Sequence, residues 1–477
     1  MKKILIFGTF LILKILVVNA QTKPIIEYQL GTAIDEAVQN SLSSKLAQSV
    51  KESKHIQYNL FKSGLGPELD LTGNPINFSR DYFGVIQPDG TLVFQPRTQN
   101  YSNFNLNLSQ QIGLTGGAVS ISSAINRFDD FNLNQKQYSG IPVALQVNQP
   151  LFAFNGYTWN KKIELLKRNE SDQQYIRDIE NISLETANLY FNVLEAQADF
   201  DLAMKNQENQ NIIFDIEKKR IALGTTNKEK ILQIELQLLN LKQEILRASM
   251  SIKSSIFDLK SYVGIKDTLA LRLTLPETLP QYHITTEEAI VKVKNNRAEF
   301  IGYIRRKLEA ERDLDEAKRQ RYAVNVNAGF GLNTIGTNLV SVYHSPTSSQ
   351  NLVVGITIPI LDWGRNKYKV SSAKANLKIL AYTIDQEEIL ITKEVTNLLE
   401  SINVTRDGIA IAKQADEIAQ ERYDLAILQF RFGKVTVTDL NIAFSERDNA
   451  KRAYIVALKN YWISYFTLRS LTLYDGK

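Results

Sequence analysis

The chain has 477 residues, 44% hydrophobic and 22% charged, with a formal net charge of +5. It has no cysteine, which excludes a disulfide framework, a thiolate metal site and a lipid anchor on an N-terminal cysteine. Three lysines and no acid fall in the first 20 residues, so the remainder carries +2, and so small a charge argues against a nucleic-acid partner.

Residues 1–20 read as a secretory signal. Lys2 and Lys3 form a basic start, Ile4 to Val18 is apolar except for Lys14, and Val18-Asn19-Ala20 offers small residues before a predicted cleavage at Gln21. The alternative is an uncleaved membrane anchor. No later segment has eighteen consecutive apolar residues, so membrane entry by the rest would need β-strands closed into a barrel.

A helix is predicted over 32–62 from the stripe Ala33, Ala37, Leu42 and Leu46, stopped by Gly64-Leu65-Gly66-Pro67. Residues 67–152 hold six of the eleven prolines and alternate with period two. Phe104, Leu106 and Leu108 alternate with Asn105, Asn107 and Ser109; Val119 and Ile121 with Ser120 and Ser122; Ile141, Val143, Leu145 and Val147 with Pro142, Ala144, Gln146 and Asn148. Such strands are apolar on one side and polar on the other.

From Leu151 to Leu275 there is no proline, and between Tyr157 and Val263 the only glycine is Gly224. Turns need Pro and Gly, so their absence predicts helices far longer than three turns. Residues 156–222 as one helix would span about 100 Å, an elongated object. After Gly224 the residues Ile231, Ile234, Leu238, Leu241, Ile245, Ala248 and Ile252 alternate spacings of three and four, a heptad seam, with Leu232, Leu239 and Leu246 as a second row beside it. Two adjacent seams suit a helix with neighbours on both sides, as in a ring.

Residues 264–282, with Pro276 and Pro280, read as a linker, and 283–318 as a helix with a charged face (Arg305, Arg306, Lys307, Glu309, Glu311, Arg312). Alternation resumes at Val324, Val326, Ala328, Phe330 and Leu332, and after a Ser/Thr-rich loop at Leu352, Val354, Ile356, Ile358 and Ile360. The residues between are mainly Asn, Gly and Thr, which suits a water-filled lumen with the aliphatic set facing lipid; the alternative is one face of a soluble β-sandwich. No proline follows Pro359, and the last helix carries Leu440, Ala443, Ala450, Tyr454, Ala457, Tyr461 and Leu468 as its seam. Its aromatics Tyr454, Tyr461, Trp462, Tyr465 and Phe466 read as packing.

The same unit occurs twice, about 209 residues apart. Gln149-Pro150-Leu151-Phe152 matches Ile358-Pro359-Ile360-Leu361, Ala187-Asn188-Leu189 matches Thr396-Asn397-Leu398, and Ala222-Leu223-Gly224 matches Arg431-Phe432-Gly433. This divides the chain into a first repeat at 21–263, the 264–282 linker and a second repeat at 283–477.

In these features, together with Asn188-Leu189-Tyr190-Phe191, the chain resembles the TolC-like outer-membrane efflux proteins over about residues 30–472. The resemblance implies a mainly α fold with a transmembrane β-barrel portion: internally duplicated helical hairpins forming a periplasmic tunnel, and β-hairpins contributing to a trimeric 12-stranded barrel, four strands per protomer. The 322–333 and 351–361 strands would form one hairpin and 141–151 would belong to the other. The family's first strand falls near Leu69 and Leu71, which leaves 104–108 and 119–121 as an added hairpin of open pairing, in roughly 30 extra residues. The implied function is an exit duct of a tripartite efflux or type I secretion system in the outer membrane of a Gram-negative bacterium, with outer-membrane lipid around it. Its partners would be two further copies, a periplasmic adaptor and an inner-membrane RND- or ABC-type pump, with no cofactor. The alternative reading is a secreted or surface-attached coiled-coil structural or adhesive protein.

By the same resemblance, Gly224 and Gly433 mark the periplasmic tips where the adaptor docks, flanked by Ala222, Leu223, Thr225, Phe432, Lys434 and Val435. Taken alone, each glycine is a helix C-cap. Asp439 is either a first-turn acid favoured by the helix dipole or part of a carboxylate ring at a closed pore mouth. The matching place after Gly224 is Lys230, preceded by Glu229, and Ile442 stands where the family often has a second acid. A gate pairing Lys230 with Asp439 between neighbouring hairpins is therefore expected. Catalytic signals are absent: His55, His283 and His344 lie far apart, and Gly329-Phe330-Gly331 is part of a strand with no phosphate-loop helix after it.

Overall fold

The computed structural model describes residues 25–224, 227–266, 270–276, 278–280, 284–320 and 323–473. The expected signal segment, Thr225 and His283 lie outside them. The chain runs β1 (Ile25–Tyr28), α1 (Leu30–Asn40), α2 (Leu42–Ser63), β2 (Glu68–Asn74), β3 (Phe78–Ile86), β4 (Leu92–Ile112), β5 (Gly117–Asp130), β6 (Gln135–Leu151), α3 (Gly156–Ala222) and α4 (Lys228–Val263). After β7 (Ala270–Leu273) come α5 (Thr286–Asn296), α6 (Ala298–Arg319), β8 (Ala323–Gly336), a short 3-10 turn, β9 (Thr347–Thr357), α7 (Arg365–Arg431) and α8 (Val437–Thr472).

The duplication is written in the helix lengths. The two longest, α3 and α7, each have 67 residues, and α4 and α8 each have 36, both pairs displaced by 209. The helices before the strands also match, 11 residues in α1 and α5 and 22 in α2 and α6, but displaced by 256. The displacements differ by 47, so the first copy carries 47 additional residues between its second helix and its long one.

The single helices expected at 32–62 and 283–318 are each two. Ser41 and Arg297, also 256 apart, take extended backbone angles (ψ 150° and 137°) and break them. Ser41 caps the next helix, its Oγ accepting from the Ser44 amide at 3.1 Å. Neither break uses Gly or Pro, so apolar spacing reads straight through both.

Two compact units divide the chain. The first combines the N-terminal segment to Ser44 with residues 182–281 and 404–465. In it β1 pairs in parallel with β7, so the expected linker contains a strand. The buried Tyr190 of α3 sits beside this pair, its hydroxyl 2.7 and 2.6 Å from the Tyr28 and Thr274 carbonyl oxygens. The α4 seam faces inward: Ile234 and Ala248 are buried and Ile231, Leu238, Leu241, Ile245 and Ile252 half-buried. The second row, Leu232, Leu239 and Leu246, stays exposed.

The second unit holds residues 45–181 and 282–403 with the C-terminal segment from Phe466. Its sheet has the ladder order β2-β4-β5-β6-β8-β9, with β3 on the upper part of β4, and every pairing is antiparallel. The strands alternate as expected, but β4 and β5 extend well beyond 104–108 and 119–121, and β9 ends at Thr357, before Ile358 and Ile360. The added hairpin lies between β2 and β6, so six strands follow one another along the ladder where the resemblance implies four. The charged face of α6 is only partly solvated: Arg305 donates to Glu170 of α3 at 2.5 Å and Arg306 to Glu387 of α7 at 2.6 Å. No described helix is long and apolar enough to cross a membrane.

Candidate functional site

The two helix–turn–helix tips fall in the first unit. At the second, α7 ends when Gly433 takes a left-handed conformation (φ 71°). The Gly433 amide donates to the Phe430 carbonyl at 2.9 Å and the Lys434 amide to that of Gln429 at 3.0 Å. This pair of bonds is a Schellman cap, which satisfies carbonyls that the helix end leaves bare. At the first tip Gly224 (φ 66°) donates to Ile221 at 2.9 Å and Leu223 to Lys219 at 3.2 Å. A residue with a Cβ pays a steric cost at such angles, which is why glycine stands at both places. Leu223 and Phe432, each just before its glycine, are 77% and 72% exposed. Ala222 is the last residue of α3, Lys434 is exposed, and Val435 packs inward against the core below.

Each returning helix starts from a polar cap. Asn227 accepts from the Lys230 amide at 3.1 Å. Thr436 and Asp439 form a reciprocal capping box. The Thr436 hydroxyl and amide donate to the Asp439 carboxylate at 2.6 and 3.0 Å, and the Asp439 amide donates back to Thr436 Oγ1 at 3.2 Å. These bonds from Thr436 hold the Asp439 carboxyl below its ordinary pKa. Lys230 and Asp439 are both exposed, and within the protomer they form no ion pair with each other.

Behind the tips the four helices share one apolar core of Ile213, Ile234, Tyr423, Phe430, Leu440 and Phe444. Arg220 ties the tips together: it lies over the Phe430 ring at 5.2 Å, donates to the Phe430 carbonyl at 3.3 Å, and holds the buried Glu217 at 2.6 Å. Further along lies a buried charged cluster. Arg447, 1% exposed, donates to Asp448 from Nε at 3.0 Å and from Nη2 at 2.6 Å, donates to Asn206 at 2.5 Å, and stacks on Tyr423 at 4.1 Å. Asn206 in turn donates to Asp448 at 2.6 Å. Burial pushes the Tyr423 phenol up to about 12.

Sequence reading passed over Arg220, Glu217, Asn206, Arg447 and Asp448. One signal was available: Arg447 occupies the seam place between Ala443 and Ala450, where an apolar residue is due. A charge at such a place fixes helix register in coiled coils. Among the described residues no group of three His, Cys, Asp or Glu is set to hold a metal. His55 is engaged with Asp172 at 2.7 Å, and His344 lies 3.1 Å from the Val340 carbonyl.

The profile of a family described as "Outer membrane efflux protein" matches residues 33–264 and 290–472. Among solved structures, the Campylobacter jejuni CmeC outer membrane channel superposes with a TM-score of 0.69 at 17% identity, over 93% of this chain and 85% of that one. A membrane protein from Pseudomonas aeruginosa gives 0.67 at 14%, over 94% and 91%. The outer membrane protein VceC of Vibrio cholerae gives 0.66 at 16%, over 93% and 95%. No curated protein sequence matches significantly.

Proposed function

Because the chain belongs to the outer membrane efflux protein family, we propose that three copies form the outer-membrane exit duct of a tripartite efflux or type I secretion assembly. The β-strands would form a barrel in lipid and the helical hairpins a periplasmic tunnel, in a Gram-negative envelope. A periplasmic adaptor would join the duct to an inner-membrane RND- or ABC-type pump. The duct passes substrate without transforming it, as its family does.

The observation that carries this reading is that one protomer leaves two kinds of apolar surface uncovered. The Leu232, Leu239 and Leu246 row on α4 is one, and the aliphatic face of the sheet is the other. Exposed apolar surface on that scale marks protein or membrane contact. The helical row suits a neighbouring copy and the sheet face suits lipid. The adhesive alternative has no support in the family match and does not account for the sheet face.

At the tips, Leu223, Gly224 and Thr225 with Phe432, Gly433 and Lys434 would meet the adaptor. The exposed Leu223 and Phe432 would supply the apolar contact and the glycines would let a partner backbone approach. Lys230 and Asp439 would act at the pore mouth between hairpins of different copies. Adaptor binding would exchange contacts of the closed mouth for contacts with the adaptor, shifting the tips between two packings.

Envelope fractionation with in vivo cross-linking tests this. The expected result is a trimer in the outer-membrane fraction, with photo-cross-linking residues at Leu223 and Phe432 capturing an adaptor. A monomer in the periplasm or medium would refute it.

A further inference from the structure

The six-stranded ladder bears on the width of the pore. The register aligns five apolar residues, Leu69, Leu108, Ile121, Leu145 and Phe330, in directly opposed places through β2, β4, β5, β6 and β8, with Gln350 of β9 at the end of the row. All five are exposed. The next residue along each strand faces the other way. That row reads Asp70, Asn107, Ser122, Ala144, Gly331 and Ser349, from β2 to β9. A parallel pair repeats one step on: Val119, Val147, Ala328 and Leu352 on the apolar side, where β4 contributes the polar Gln110, and Ser109, Ser120, Gln146, Gly329 and Asn351 on the polar side.

The added strands β4 and β5 therefore carry the same sidedness as their neighbours, in the same rows. A hairpin lying outside the wall or plugging the lumen would have no reason to present an aliphatic row continuous with Leu145 and Phe330. The added residues also belong to the first repeat only, in which β2 and β6 enclose the β4–β5 hairpin, while the second repeat makes do with β8 and β9.

The outer strands of the ladder, β2 and β9, have free edges, and every residue of β9 is exposed. Unpaired backbone groups cannot persist in lipid, so these edges require partners. Six alternating strands leave β2 and β9 running in opposite directions, so β2 of one copy can pair with β9 of the next and keep the ring antiparallel. Such head-to-tail contacts close when the rotation permits.

We infer that the β4–β5 hairpin is part of the barrel wall, so that each protomer contributes six strands and three copies close a barrel of 18. This rests on the outer-membrane trimer proposed above. Barrel diameter grows roughly linearly with strand number, so the ring is about half as wide again as one of twelve strands. Barrels of 16–18 strands hold an aqueous channel rather than a side-chain core. The lumen would be lined by Asp70, Asn107, Ser122, Ala144, Gly331 and Ser349, small or polar groups among which Asp70 would place one carboxylate per copy around the ring.

An electron-microscopy reconstruction of the detergent-extracted, full-length wild-type protein tests this. It should show 18 strands, with Leu108 and Ile121 towards detergent and Asn107 and Ser122 towards the lumen. A trimeric twelve-stranded ring with residues 92–130 inside or outside the wall would overturn this inference alone. A protein that is not a membrane trimer would overturn the function proposal and this inference with it. The absence of cysteine allows a second readout in intact outer membranes. A charged maleimide should label Ser122→Cys and not Ile121→Cys; equal labelling of both would count against the wall position.

Discussion

Replacing Leu239 by Asp should weaken the oligomer without unfolding the protomer. Leu239 lies in the outer row of α4 and is 61% exposed in the single chain, whereas the seam beside it is turned inward. A matching exposed row recurs every seven residues on α7, at Val404, Ile411, Ile418 and Leu425. Burying a leucine completely is worth about 1.5–3 kcal/mol, so the surface that Leu239 still exposes is worth about 1–2 kcal/mol in each copy. Three symmetric copies make that roughly 3–6 kcal/mol for a trimer, or about two to four orders of magnitude in the association constant. The buried, unpaired carboxylate adds a further penalty. The assay is light scattering on gel-filtered protein in detergent over a dilution series, with circular dichroism to confirm that helix content is kept. Wild-type protein should remain trimeric at concentrations where Leu239→Asp dissociates. A variant that stays trimeric across the whole series would refute the assignment of this row to a subunit contact.

Other predictions concern the helical region. Arg447→Ala leaves Asp448 in the core with a hydrogen bond from Asn206 and the charge of Arg452 nearby, and should cost about 3–5 kcal/mol in chemical denaturation followed by circular dichroism. Arg447→Lys should recover only part of this, because lysine cannot reproduce the forked donation or the stacking on Tyr423. Gly433→Ala meets no clash, its nearest neighbour being Arg220 Nη2 at 3.5 Å, so its cost is that of the left-handed backbone, about 1–2 kcal/mol, seen as faster amide exchange at the end of α7. The depressed Asp439 carboxyl means that its capping box stabilises the start of α8 above the ordinary aspartate value of 3.8 and loses that contribution as pH falls through the lower folded value. Amide exchange at the first turn of α8, corrected for intrinsic pH dependence, should rise only in that acid range, and Asp439→Asn should remove the dependence.

Much of the architecture was legible because long helices suppress Pro and Gly. The spacing of Gly224 and Gly433 located both tips, and the alternation at 324–332 and 141–147 located strands β8 and β6 of the sheet. What escaped depends on contacts remote in sequence. The place of β4 and β5 in the ladder is set by pairings such as Leu69 with Leu108 and Ile121 with Leu145, and alternation alone gives no register. The breaks at Ser41 and Arg297 escaped because neither is Gly or Pro and the apolar spacing continues across both, although Ser41 is a residue type that caps a following helix. Arg447 escaped because a seam is defined by apolar residues, and here a buried arginine stands at one of its places. At the tips, the glycines were readable as caps, whereas the Thr436–Asp439 box lay in a T-x-x-D pattern that was there to be read.

The central claim, that this chain is an outer-membrane duct, is tested most directly by electrical recording. Purified wild-type protein added to a planar lipid bilayer should produce discrete, stepwise ion currents. A correctly folded, helical preparation that inserts into the bilayer and never conducts would contradict it.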